Sequence, residues 1–133
     1  MANIEITNID NGTIALRHEE FRDDLLTFIG ATTVLAGTLL ARDSVSGKLI
    51  PFVVGGVTNE DGIPKAVITY DVTAAVAGDV AVRALVAGTV NKDRLIVNAD
   101  GTGLNITTVI LDMLRDYGIP AVDVEQLGAL DNQ

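Results

Sequence analysis

Residues able to do chemistry are scarce in this chain and poorly placed for it. The one histidine, His18, stands in a polar stretch beside Glu19 and Glu20. A catalytic imidazole needs an orienting partner and a nucleophile within about 3 Å. This stretch suggests no pocket for either, so His18 reads as solvated. Asn59-Glu60-Asp61-Gly62 and Asn98-Ala99-Asp100-Gly101 faintly echo calcium loops, but neither has the alternating carboxylates and distal bidentate Glu of an EF-hand. Both read first as turns. Residues 94–97, the glycine-containing stretch 98–103 and the helical pattern after it have the order strand, loop, helix, which can seat a phosphate at a helix N-terminus. The loop lacks the third glycine of a dinucleotide fingerprint and the Lys-Ser/Thr of a P-loop. Asp100, Asp112 and Asp116 would also repel phosphate. The acid pairs Glu19/Glu20 and Asp23/Asp24 have no pocket-forming aromatics to mark a glycosidase dyad. The five aromatics Phe21, Phe28, Phe52, Tyr70 and Tyr117 supply no stacking platform for sugars or bases. No catalytic, cofactor-binding or metal-ligating residue is assigned, and the expectation is a structural or binding module, not an enzyme.

Composition narrows the classes further. The 133 residues include no cysteine, which excludes a disulfide scaffold, thiolate zinc, iron–sulfur ligation and a cysteine nucleophile. A net charge of −9 argues against nucleic acid, where Lys and Arg must replace the counterions of phosphate, and against anionic membrane surfaces. Mean hydropathy is positive at +0.38, yet the Ala, Val, Ile and Leu behind it are scattered. No apolar run approaches the roughly 20 residues that span a bilayer, and MANIEITNID is not a signal peptide. A soluble, acidic protein is expected. At roughly 100–200 residues per domain, the length allows one domain with an arm: residues 1–20 read as the arm and 21–133 as a single β-rich domain.

The elements follow from pattern. In the arm, Ile4 and Ile6 alternate with Glu5 and would share one strand face, which must pair within its own domain or with another chain's sheet edge. Arg17-His18-Glu19-Glu20-Phe21-Arg22-Asp23-Asp24-Leu25-Leu26 is charge-dense and reads as exposed arm or short helix. From residue 33 the texture becomes β-prone. Residues 33–41 and 48–54 flank the turn residues 42–47 and predict a hairpin, with Pro51 interrupting the second strand or holding it at an edge. Residues 65–71 and 79–87 predict two more strands. In the latter, Val80, Val82, Ala84 and Val86 share one face, while Arg83 on the other needs a partner or an exit to water.

Residues 106–117 form the clearest element. Ile106, Val109, Ile110, Met113, Leu114 and Tyr117 fall on one helical face and read as core. Asn105 is the expected N-cap, with Leu104 stapled onto Val109. Gly118 and Ile119 suit a Schellman ending, and Pro120 forbids continuation. Residues 121–124 are a short strand candidate, and 125–133 an acidic surface tail. The fold class is therefore α+β: a small β-rich, barrel- or sandwich-like domain with one main C-terminal helix and an extended N-terminal arm.

The order of these segments resembles a known family. Thr33-Val34-Leu35-Ala36-Gly37-Thr38-Leu39-Leu40-Ala41-Arg42 leads to Ser46-Gly47-Lys48-Leu49-Ile50-Pro51-Phe52. Val76-Ala77-Gly78-Asp79-Val80 and Val86-Ala87-Gly88-Thr89-Val90-Asn91 follow, and the chain closes on the helix and Tyr117-Gly118-Ile119-Pro120. This pattern is similar to the head decoration proteins of tailed bacteriophages, the lambda head decoration family, over residues 21–124. The resemblance implies a homotrimer on the outer surface of an expanded icosahedral capsid, stabilising it against internal DNA pressure. The implied partner is the major capsid protein, with no cofactor, no nucleic acid and no membrane. The implied place is the virion, after synthesis in the host cytoplasm. It also implies an arm that orders against the capsid protein. Ile4, Glu5 and Ile6 are the expected capsid contacts, with the segment around Ala36-Gly37-Thr38 placing the arm. Gly37, Gly47, Gly78, Gly88 and Gly118 are the expected turn positions. The competing readings are another oligomeric virion or tail adaptor, or a small ligand-binding domain using residues 98–103.

Overall fold

The computed structural model describes residues 14–97 and 106–122. Eight strands precede or follow one α-helix among them: β1 (Ala15–Phe28), β2 (Thr32–Val34), β3 (Leu39–Arg42), β4 (Leu49–Pro51), β5 (Pro64–Val67), β6 (Val72–Ala74), β7 (Gly78–Asn91), α1 (Thr108–Asp116) and β8 (Ala121–Val122). A 3-10 turn, Lys92–Arg94, ends β7. The main sheet runs β1-β4-β3-β5-β7, and β1 returns to pair with β7, so these five strands close a barrel. Closure removes the open sheet edges that a small β domain would otherwise expose. β8 adds to the far end of β7 in parallel, while β2 and β6 form a separate two-stranded sheet.

Alternation along the barrel strands sorts their side chains into two cores. Leu26, Phe28, Leu40, Leu49, Ala66, Val82 and Ala84 come from all five strands and fill the barrel interior with Ile68 and Val72. Their neighbours Leu39, Val67 and Leu85 point the other way, into a second core with Phe52, Leu95, Ile110, Leu114 and Ile119. That second core lies between the barrel wall and α1. Val80 and Val86 pack at the margin of the interior set, on the same face as Val82 and Ala84. Small residues such as Ala66 and Ala84 suit the interior because a five-stranded barrel leaves little room between its walls.

Several elements differ from the sequence expectation. The charge-dense segment 17–26 is neither exposed arm nor helix; it is the middle of β1, paired antiparallel to β7 from Ala15↔Val90 to Phe28↔Gly78. Leu26 is buried and Phe21 half-buried, but Leu25 is exposed and Asp24 is half-buried beside Arg42. The segment is therefore held as strand by the β7 ladder and not by clean alternation, and residues 15–20, read from sequence as arm, belong to the barrel. The run 33–41 is not one strand. β2 ends at Val34 and β3 starts at Leu39, because the chain turns at Ala36–Gly37, where the Gly37 N–H donates to the Ile68 carbonyl. The β3–β4 hairpin forms with Arg42 opposite Leu49, and β4 stops at Pro51, which has no N–H to extend the ladder. β7 is longer than its predicted span, and Arg83 exits to water.

α1 also departs from its predicted start. The Thr107 hydroxyl accepts from the Ile110 N–H and caps the helix two residues after the expected point; Asn105 and Leu104 lie outside the described residues. Its end is a Schellman motif. The Ile119 N–H donates to the Leu114 carbonyl and the Gly118 N–H to the Arg115 carbonyl, with Gly118 at φ +90°.

Candidate interaction surface

The β1–β7 ribbon carries the chain's first described residues to one end of the barrel. Ala15 pairs with Val90, and Val90 pairs with Ala121, so the root of the N-terminal segment and β8 flank β7 at the same level. The ribbon is bent there. Register shifts fall between Ala15 and Phe21, where His18 takes φ +56° opposite the Gly88 region. Gly88 has φ +125°, and a Cβ on it would stand 2.6 Å from the Glu19 Cα. Backbone therefore packs on backbone at this bulge, which only glycine permits. The Gly88 N–H donates to the Gly118 carbonyl and the Val90 N–H to that of Pro120, which lashes the end of α1 to the same bend.

α1 sits on the barrel through Ile110 and Leu114, both buried. The helix is rotated relative to the sequence reading. The six positions that the sequence reading placed on one face, from Ile106 to Tyr117, span an arc of about 140° at 3.6 residues per turn. Contact with the barrel covers one side of that arc. Val109 is 67% exposed and Tyr117 40%, so neither is core, and Met113 is only partly buried. Val109, Met113 and Tyr117 stand at i, i+4 and i+8 and form an apolar stripe along the outer flank of α1. The Lys65 Nζ lies 3.8 Å from the centre of the Tyr117 ring and holds one ring face by a cation–π contact. Asp112 and Asp116 border the stripe, with Arg115 bonded to Asp112 at 3.0 Å.

Away from this end, cross-strand ion pairs brace the ribbon. Asp24 on β1 accepts from Arg42 on β3 at 2.7 Å, with the Asp24 side chain only 14% exposed. Partial burial pushes the Asp24 carboxyl upward, and the hydrogen bonds from Arg42 and from the Leu25 N–H more than reverse it, leaving the group below its ordinary value. Asp79, at the start of β7, accepts from Lys48 and from the Thr27 hydroxyl, and both bonds hold its carboxyl low. The exposed Arg83 stands 3.6 Å from Asp23 and its guanidinium lies over the Phe21 ring, 6.0 Å from the ring centre, while its backbone N–H donates to the Tyr70 hydroxyl.

The residues singled out from sequence are distributed as follows. Ile4, Glu5, Ile6, and the loop 98–103 lie outside the described residues. Gly37 abuts the Arg94 carbonyl, Gly47 ends the β3–β4 turn, Gly78 opens β7, Gly88 lies at the ribbon bend and Gly118 follows α1. The 59–62 segment is a tight turn in which the Asp61 carboxylate accepts from the Thr58 N–H, so its acid is engaged locally. Among the described residues, no helix is long and apolar enough to cross a membrane.

The family model described as bacteriophage lambda head decoration protein D matches residues 8–119. None of the curated proteins compared with the chain matches it.

Proposed function

The chain belongs to the bacteriophage lambda head decoration protein D family, and from that premise we propose that it is a trimeric clamp on the outer surface of an expanded phage capsid. Family membership makes it a structural protein of the phage head, associated with the capsid. The match over residues 8–119 is the observation that carries the reading, because it takes in the barrel, the ribbon bend and α1 together.

The segment before the barrel, residues 1–13, acts as the capsid-binding arm, with Ile4, Glu5 and Ile6 adding an alternating strand to an edge of the major capsid protein, while residues 15–20 belong to β1. Strand addition draws its affinity from main-chain hydrogen bonds, which a short alternating segment supplies without a pocket. Three arms on one trimer turn weak single contacts into tight attachment through effective concentration. Closed three-fold symmetry stops assembly at the trimer and prevents filaments. Attachment across neighbouring capsomers opposes the outward pressure of packaged DNA. The acidic chain has no affinity for that DNA, and the reading includes no enzymatic step, nucleic acid or membrane partner.

Light scattering on the purified protein, alongside a variant lacking residues 1–13, which leaves β1 whole, tests both parts. The expected mass of the full chain is three times the 13.9 kDa of one copy, with only the full chain binding expanded, undecorated capsids. Monomers throughout, or full-length protein that leaves capsids bare, would overturn the reading.

A further inference from the structure

Past the Val67↔Leu85 pairing, β5 parts from β7, and the Arg83 N–H donates instead to the Tyr70 hydroxyl at 2.8 Å. On the other side of β7, β1 sets Phe21 opposite Leu85 and Asp23 opposite Arg83. Phe21, Thr69, Tyr70 and Arg83 line a cleft of about 90 Å³ at this place. We propose that this cleft receives one carboxylate side chain, Asp or Glu, presented by a partner protein.

Size and lining set the class of ligand. At about 30 Å³ for each water in the liquid, the cleft has room for roughly three waters. A carboxylate with one or two methylene groups fills that space, whereas a nucleotide base or a sugar ring exceeds it. Phe21 packs at the margin of the core under α1, so its ring is held as a firm apolar wall, and the Tyr70 ring supplies another. The polar groups on the cleft are donors. Arg83 brings its guanidinium over the Phe21 ring, and Thr69 is only 1% exposed. Among the described residues, neither the Thr69 hydroxyl nor the Tyr70 O–H has an acceptor; the Tyr70 oxygen only accepts, from the Arg83 N–H. A buried hydroxyl left without a partner costs free energy, which an entering carboxylate oxygen restores.

Charge points the same way. No acid is among the lining residues, so an incoming carboxylate meets one cation and two hydroxyl donors. The acid nearest the guanidinium is Asp23, at 3.6 Å and with its side chain 84% exposed. So loose and solvated a pair contributes little, and a carboxylate bonded by both guanidinium nitrogens can replace it. The net charge of −9 does not cancel this local attraction, because exposed charges are screened beyond about 8 Å at physiological ionic strength. Arg and Tyr set against a firm apolar wall are also the residue types that dominate binding at protein interfaces.

The assignment is independent of residues 1–13 and of attachment to a capsid. Backbone amide shifts of the isotope-labelled full chain are followed by NMR during titration with butyrate, whose carboxylate and methylenes match a glutamate side chain. Butyramide, sodium chloride at the same ionic strength and inorganic phosphate are titrated separately. Butyrate is expected to shift the amides of Phe21, Thr69, Tyr70 and Arg83 saturably, with a Kd on the order of 10 mM. Butyramide should bind about tenfold more weakly or worse, since it cannot pair with the guanidinium. Arg83→Gln should weaken butyrate by about tenfold or more, while Asp23→Asn should tighten it severalfold by removing the competing acid. Both variants replace exposed side chains, so their melting temperatures should stay those of wild type. Equal shifts with sodium chloride or butyramide overturn the proposal, as does unchanged binding by Arg83→Gln or by Asp23→Asn. Tighter binding of phosphate than of butyrate makes the cleft an inorganic-anion site and overturns the side-chain assignment.

Discussion

Gly88 is the residue on which the bend of the ribbon turns. Its φ of +125° and the 2.6 Å approach of the Glu19 Cα leave no place for a side chain. Gly88→Ala is expected to cost about 2–4 kcal/mol, combining an unfavourable backbone region with overpacking against main chain that cannot rotate away. Denaturant unfolding reads that loss, and a cost below half a kcal/mol would mean the bend adapts. Tyr70 offers a gentler case. Its hydroxyl accepts from the Arg83 N–H, beyond the single Val67↔Leu85 pairing of β5 with β7. Tyr70→Phe removes one hydrogen bond near the surface, where water replaces part of it, so about 0.5–1.5 kcal/mol is expected in the same assay.

Elements hold their places by different means. α1 has nine residues, too few to be stable alone in water, so its helicity depends on docking. Ile110 and Leu114 provide that docking, with burial worth roughly 1.5–3 kcal/mol for each side chain. Leu114→Ala is expected to destabilise the protein by about 2–5 kcal/mol, since it also leaves a cavity between α1 and the barrel. Circular dichroism should show the loss as a lower melting temperature of the whole fold, not as fraying of one helix. β1 and β3 are joined by the Asp24–Arg42 pair in a half-buried setting. A double-mutant cycle of Asp24→Asn and Arg42→Gln should return a favourable coupling larger than that of the exposed Asp23–Arg83 pair, which solvent screens.

The whole molecule inherits a pH response from its carboxylates. Asp24, Asp43 and Asp79 all titrate below their ordinary value of 3.8 in the folded state. For Asp43 the cause is hydrogen bonds from the Val45 and Ser46 N–H groups in the β3–β4 turn. At acid pH the unfolded chain therefore binds more protons than the folded one, so stability falls as pH drops. Full stabilisation is present above the ordinary value and is lost as pH falls through the lowered folded values. Melting temperature measured from pH 6 to pH 2 should decline below about pH 4. Asp79→Asn should flatten that decline, because it removes the group bonded to Lys48 and Thr27. A profile unchanged by Asp79→Asn would place the acid sensitivity elsewhere.

What sequence alone determined was whatever depends on neighbours along the chain. The β3–β4 hairpin was legible because its turn residues lie between two apolar runs, and the end of α1 because Gly118, Ile119 and Pro120 stand in the order that a Schellman stop requires. The spacing of glycines and apolar positions was enough to point to the family, because that spacing is set by turns and packing that the fold repeats. The tertiary structure decided what depends on distant partners. Segment 17–26 is polar enough to read as arm, yet it becomes strand because β7 supplies the whole ladder opposite it. A ladder partner more than 50 residues away leaves no local trace. The barrel's closure likewise rests on the meeting of β1 with both β4 and β7. The apolar arc of α1 could be read from its period, but its rotation against the barrel could not. That rotation, set by the shape of the Ile110 and Leu114 contact, left Val109 and Tyr117 at the surface, although the period alone assigns them to the core.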